Sequence, residues 1–137
     1  TVRLRSALGR DKARMEELSA DKSAQIVDAR SPERFLGKVD EPRPNLRRGH
    51  IPGSINVPYG ELIAADGRMK SADELKALFA ERGVRMDRPI VNTCGSGVTA
   101  AVLSLAQAIA GHDDSAVYDG SWAEWGAVDA GLPVEQD

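Results

Sequence analysis

Short, continuous apolar runs alternate along the chain with longer stretches in which apolar residues recur every three or four positions. The short runs are "QIVDA" (25–29), "SINVP" (54–58), "PIVNT" (89–93) and "SAVYD" (115–119). Apolar side chains on consecutive positions suit strands that are buried on both faces. The longer patterns are helical. "SADELKALFAERG" (71–83) opens with Ser71 as N-cap and Glu74 three residues on, a capping box. Leu75, Leu78 and Phe79 then share a face, and Gly83 supplies the stop. "VTAAVLSLAQAIAG" (98–111) sets Val98, Ala101, Val102, Leu105 and Ile109 on one stripe and closes at Gly111. "DKARMEELS" (11–19) is a weaker amphipathic helix, and "WAEWGAVDAG" (122–131) a short one. Strands alternating with helices predict an α/β domain, a mainly parallel central sheet flanked by helices. "GKVDEPRPNLRRGHIPGS" (37–54) has too much Pro and Gly for either element and is predicted to be a long surface loop.

Composition narrows this picture without changing it. At 137 residues the chain is expected to form one domain over 1–137, with enough length to close its own core. It is 42% hydrophobic and 28% charged with a net charge of −3, ordinary for a globular protein. The mild acidity argues against nucleic acid or an anionic membrane as the main partner. No apolar run approaches spanning length. The opening "TVRLRSALGR" has neither a signal-peptide core nor an initiator methionine, so we read the chain as a piece of a longer protein and expect a cytoplasmic setting.

The candidate chemistry rests on one cysteine. Cys94 cannot form an internal disulfide, and with only His50 and His112 beside it no Cys/His metal cluster is expected. It falls at the carboxyl end of a predicted strand, where ligands bind in open α/β sheets. "CGSGVT" follows, in which Gly95, Ser96, Gly97, Val98 and Thr99 offer consecutive backbone N–H groups ahead of a helix N-terminus. Gly95 and Gly97 are free to take positive φ. Such a cradle holds an anionic sulfur, so Cys94 is expected to be at least partly thiolate near neutral pH. A lone cysteine after an apolar strand is more often a small buried hydrophobe. The loop composition decides against that here, since an inert cysteine needs no paired glycines, hydroxyls and helix start around it.

The segments "VDARSPERFLG", "EPRPNLRRGHIPGSINVPY", "PIVNTCGSGVTA" and "VYDGSWAEWG" together make the sequence resemble the rhodanese-family sulfurtransferases, in family order and over nearly the whole chain. It is most similar to the C-terminal, catalytic half of two-domain members that use 3-mercaptopyruvate or thiosulfate. The resemblance implies a rhodanese-like three-layer fold, no cofactor, and sulfur transfer through a Cys94 persulfide to a thiol or cyanide. It also implies an N-terminal rhodanese domain of the same full-length chain as partner. Members that prefer thiosulfate tend to carry basic residues at the two positions after the cysteine. Gly95 and Ser96 are neutral, which favours 3-mercaptopyruvate. By the family pattern Arg34 and Arg43 bind the donor carboxylate, while solvated loop arginines paired with Glu33 or Glu41 are the plainer reading. Ser96 either relays a proton to the departing enolate or is a loop serine bonded to backbone.

Other landmarks are expected to be structural. His50 belongs to a tight turn, Asp28 and Arg30 form an ion pair, Arg47 and Arg48 are structural or steering charges, and Trp122 and Trp125 lie in the core. Asp119 and Ser121 are expected to cap the last helix. Cysteine-dependent phosphatases of related architecture carry an arginine six residues past the nucleophile, where this chain has Ala100, so phosphate-ester hydrolysis is disfavoured. Thiosulfate:cyanide sulfurtransfer and a non-catalytic rhodanese-like binding module remain as alternatives.

Overall fold

The computed structural model describes residues 9–10, 12–22, 24–95, 99–112, 115–118 and 120–136. The strands are β1 (Gly9–Arg10), β2 (Gln25–Asp28), β3 (Ile55–Asn56), β4 (Ile90–Thr93) and β5 (Ala116–Tyr118). The helices are α1 (Lys12–Asp21), α2 (Pro32–Phe35), α3 (Ala72–Glu81), α4 (Ala100–Ile109) and α5 (Ser121–Trp125), with a 3-10 turn at Tyr59–Leu62. The sheet order is β1-β5-β4-β2-β3, and every pairing is parallel. The four apolar runs are thus strands, while β1, α2 and the 3-10 turn lay below the resolution of the pattern.

Every residue of β2 and β4 is buried, the polar Gln25, Asp28, Asn92 and Thr93 along with the apolar pairs Ile26–Val27 and Ile90–Val91. Their side chains feed two cores. Val27 and Ile90 pack with Leu75 and Phe79 of α3 and Leu103 and Ala106 of α4. Ile26 and Val91 pack on the other face with Met15 and Leu18 of α1 and with Trp122 and Trp125 of α5. This is the three-layer α/β arrangement, and both tryptophans are core residues. Each fully buried leucine or phenylalanine here contributes roughly 1.5–3 kcal/mol of burial. The capping box at Ser71 and Glu74 is present, and Gly83 ends α3 with φ +85°. No helix among the described residues is long and apolar enough to cross a membrane.

Two expectations fail on packing. α4 buries Ala100, Leu103, Ala106 and Gln107, whereas Leu105 and Ile109 are 47% and 41% exposed. The helix is apolar nearly all round, so periodicity could not choose its inner face. That choice is made by small residues seating against the sheet and by Gln107, which exchanges two hydrogen bonds with Asn92 of β4 at 2.8 and 2.9 Å. The segment 37–54 is irregular, but it is not simply a surface loop: Glu41, His50 and Ile51 within it are buried.

From β2 the chain passes outward to β3, and from β4 it passes to β5 on the opposite side. The carboxyl ends of β2 and β4 therefore flank the switch point of the sheet, the usual crevice for ligands in such folds. Asp28 pairs with Thr93 there, so Ala29 and Arg30 emerge beside Cys94.

Candidate active site

Cys94 follows β4 directly and is 1% exposed. Its carbonyl accepts the Trp122 N–H at 2.9 Å, and the Gly95 carbonyl accepts the Ala123 N–H at 2.9 Å. The first turn of α5 therefore fixes the Cys94–Gly95 segment. The Cys94 N–H donates to Ser121 Oγ at 3.2 Å, and the same oxygen lies 3.9 Å from Cys94 Sγ. Ser121 Oγ in turn donates to the Tyr118 carbonyl at 2.9 Å. A hydroxyl has one proton. While that proton goes to Tyr118, the oxygen turns its lone pairs to Cys94, an arrangement suited to a neutral S–H. Stabilising an anionic sulfur from this side requires the hydroxyl proton to swing from the carbonyl to Sγ.

Ser121 corrects an expectation. It is not the cap of α5: the N-cap is Gly120, with no side-chain capping bond, and Asp119 lies outside the described residues. Instead Ser121 is fully buried with φ +50°, a left-handed conformation costing a non-glycine residue roughly 1–2 kcal/mol. Its three polar contacts hold it there. The parallel register of β4 with β5 brings their carboxyl ends side by side, and only that register reveals Ser121 as a neighbour of Cys94.

Arg34 reaches the same point from the other strand. Ser31 caps α2 by accepting the Arg34 N–H at 3.4 Å, and Pro32 starts the helix. The Arg34 guanidinium bonds Glu41, with Nη2 at 2.7 Å from Oε1 and Nε at 3.2 Å. The same Nη2 lies over Gly95, where an added Cβ would stand 2.5 Å from it. Gly95 does not take positive φ, so what a Cβ there would displace is the end of the Arg34 side chain and not the backbone. Behind Arg34, Glu41 also accepts Arg30 Nη1 at 3.2 Å. Arg30 in turn holds both oxygens of Asp28 and lies 4.6 Å over the Trp122 ring. The predicted Asp28–Arg30 pair is thus one link of a buried chain of contacts running from α5 to Arg34.

These groups border a cleft of ≈ 300 Å³ whose wall includes Arg34, Glu41, Arg43, Tyr59, Gly95 and Thr99. Arg34 and Arg43 line this cleft together with Gly95, the residue after the cysteine, and Arg43 pairs with no described residue. The plainer reading of Arg34 holds as well, since it is paired with Glu41 while facing the cleft. Ser96, Gly97 and Val98 lie outside the described residues. Thr99 stands just before α4, which begins at Ala100.

His50 is held away from this chemistry. Its ring stacks on Phe35 at 3.8 Å, and Nδ1 lies 2.7 Å from the Phe35 carbonyl. Arg47 ties down the carbonyls of Gly126, Leu132 and Trp125, and exposed Arg48 pairs with Asp40. A second cleft of ≈ 190 Å³ opens at the amino ends of β2 and β4, with Lys22, Arg85 and Arg88 on its wall. Ser19 on its wall donates its hydroxyl to the Pro52 carbonyl at 2.8 Å. The cleft's cations follow the carboxyl ends of α1 and α3, and Arg88 donates to the Lys22 carbonyl at 3.1 Å, as helix-end carbonyls favour.

Known proteins resemble this chain in sequence and in fold. The chain is 56% identical over 117 residues to a 3-mercaptopyruvate sulfurtransferase of Escherichia coli (strain K12), a match covering 85% of this chain and 41% of that protein. It is 46% identical over 105 residues to a thiosulfate sulfurtransferase of Rattus norvegicus, covering 76% and 35%. The crystal structure of SseA from Escherichia coli, described as a 3-mercaptopyruvate sulfotransferase with the rhodanese fold, superposes with a TM-score of 0.74 at 45% identity, covering 88% of this chain and 44% of that one. The chain thus spans about two-fifths of the length of these curated relatives. The profile of the rhodanese-like domain matches residues 11–128, so the chain belongs to the rhodanese-like domain family.

Proposed function

We propose that the chain is the catalytic rhodanese domain of a sulfurtransferase that moves sulfur from 3-mercaptopyruvate to a thiol or cyanide through Cys94. The observation that carries this reading is the convergence of Arg34 on Gly95, beside Cys94 and in one cleft with Arg43. The Cys94 thiolate attacks the donor sulfur, forming an S–S bond as the C–S bond breaks. The leaving enolate takes a proton, for which Ser96 is the candidate relay, and departs as pyruvate. An acceptor thiolate or cyanide then attacks the outer sulfur and releases the Cys94 thiolate. The N–H groups of Gly95, Gly97, Val98 and Thr99 stabilise the anionic sulfur in both halves of the cycle. The donor carboxylate rests on Arg43 and on the free edge of Arg34. The neutral residues Gly95 and Ser96 favour this donor over thiosulfate.

Two further parts of the reading follow from relatives. Their greater length supports a second, N-terminal rhodanese domain in the full-length protein that completes the site, and a cytoplasmic setting is our reading of the composition. The similarity to a thiosulfate sulfurtransferase keeps thiosulfate as the alternative donor. The 1% exposure of Cys94 is what a non-catalytic module would also show, so persulfide formation is the deciding test. Intact mass spectrometry after exposure to each donor should show the gain of one sulfur atom, lost again with cyanide and absent in Cys94→Ser. A chain that stays unmodified with both donors overturns the proposal.

A further inference from the structure

The charges around the cleft are unevenly matched. Arg30 is held by Asp28 and Glu41, and Arg34 by Glu41. The Glu41 carboxylate is 1% exposed and joins both guanidiniums. Arg43 also lines the cleft and pairs with no described residue. Three arginines thus face two carboxylates, and the single unmatched positive charge is that of Arg43. Arg34 keeps its donors and its place over Gly95, but its charge is cancelled from behind.

We propose that Glu41 determines donor specificity: by cancelling one arginine it sets the cleft to accept a monoanionic donor, an α-keto carboxylate, in preference to a dianion such as thiosulfate. This rests on the sulfurtransferase reading above and deepens it. Each unpaired cation attracts a dianion twice as strongly as a monoanion. Adding one positive charge at cleft distances therefore favours the dianion by roughly tenfold at an effective dielectric near that of a protein surface. The effect should shrink with salt, because the cleft is open to solvent. A merely structural Glu41 would act differently. Its loss would lower the folded or active fraction and depress both donors alike, leaving their ratio unchanged.

The test uses Glu41→Gln, which removes the charge and turns one of the two acceptor oxygens into an NH2 donor, and Arg43→Gln, which removes the unmatched cation. Two ratios are measured on each protein: kcat/KM for thiosulfate over 3-mercaptopyruvate, and the Cys94 alkylation rate with anionic iodoacetate over neutral iodoacetamide. Both ratios are independent of how much of the sample is active. Glu41→Gln should raise the donor ratio roughly tenfold and the alkylation ratio several-fold, and Arg43→Gln should lower the alkylation ratio. If Glu41→Gln does not fold, the alkylation ratio of Arg43→Gln carries the comparison, and an unchanged ratio there overturns the proposal. Unchanged ratios in a folded Glu41→Gln overturn it too. Alkylation ratios that move as expected in a protein that takes sulfur from neither donor would support the charge assignment and sink the sulfurtransferase reading instead.

Discussion

Replacing Ser121 separates two opposing contributions at one residue. In Ser121→Ala the buried Cys94 N–H loses its acceptor at 3.2 Å and the Tyr118 carbonyl its donor at 2.9 Å. A buried unsatisfied N–H costs about 1–3 kcal/mol, and the carbonyl loss adds less because it has a second lone pair. Alanine inherits the φ of +50° unchanged, so the backbone strain remains. Ser121→Ala should therefore lose about 2–3 kcal/mol, a fall of roughly 1–2 M in the urea midpoint for a domain of this size. Ser121→Gly loses the same hydrogen bonds but relieves the left-handed strain, worth about 1–2 kcal/mol, against about 0.5–1 kcal/mol of added unfolded-state freedom. The glycine variant should sit about 0.5–1 kcal/mol above the alanine variant. Urea denaturation followed by tryptophan fluorescence measures all three proteins. Alanine within about 0.5 kcal/mol of the parent, or glycine below alanine, would refute the assignment of Ser121 as the strained seat of Cys94.

Four other outcomes are expected. Gly95→Ala should push the Arg34 guanidinium off the loop and raise the KM for 3-mercaptopyruvate toward that of Arg34→Ala; donor kinetics of the two variants side by side check this. Leu103→Ala should cost about 2–5 kcal/mol in chemical denaturation and Leu105→Ala well under 1, a contrast that inverts if α4 presents the opposite face. Thr93 Oγ1 is buried without a partner among the described residues, so Thr93→Val should be neutral or stabilising by about 1 kcal/mol in the same assay. The Ser71 backbone N–H, then its hydroxyl, hold the Glu74 carboxyl below its ordinary value. The contribution is present above pH 4.5 and fades as pH falls through the lowered value, and Ser71→Ala, which keeps the backbone N–H, should reduce that acid limb of the stability profile only in part.

Much of the architecture was legible because the strands of a doubly covered sheet place apolar residues on consecutive positions, as Ile26–Val27 and Ile90–Val91 do. The runs around Val27, Val57, Val91 and Val117 needed nothing beyond local pattern. The capping box at Ser71 is equally local. The inner face of α4 was not legible, because Leu105 and Ile109 match the helical period as well as Leu103 and Ala106 do. Only the Asn92–Gln107 pairing across elements breaks that tie. The same distinction runs through the site. Cys94 and its glycine loop are contiguous and announce themselves. Arg34 and Arg43 entered through resemblance alone, and their approach to Gly95 depends on the order β4-β2 in the sheet. Ser121 was misread because its neighbours in sequence suggest a cap, while its neighbour in space lies 27 residues away. Glu41 looked like a solvated loop acid until the segment 37–54 folded back over Arg30.

The dependence of Cys94 on α5 has a consequence for biosynthesis. The ribosome makes the reactive residue first and the turn that seats it near the end of the chain, so a nascent domain carries the thiol before it carries the anchors for its peptide. The site is assembled only when residues 120–126 have emerged and docked against the finished sheet. A message truncated before that point yields a cysteine without its pocket.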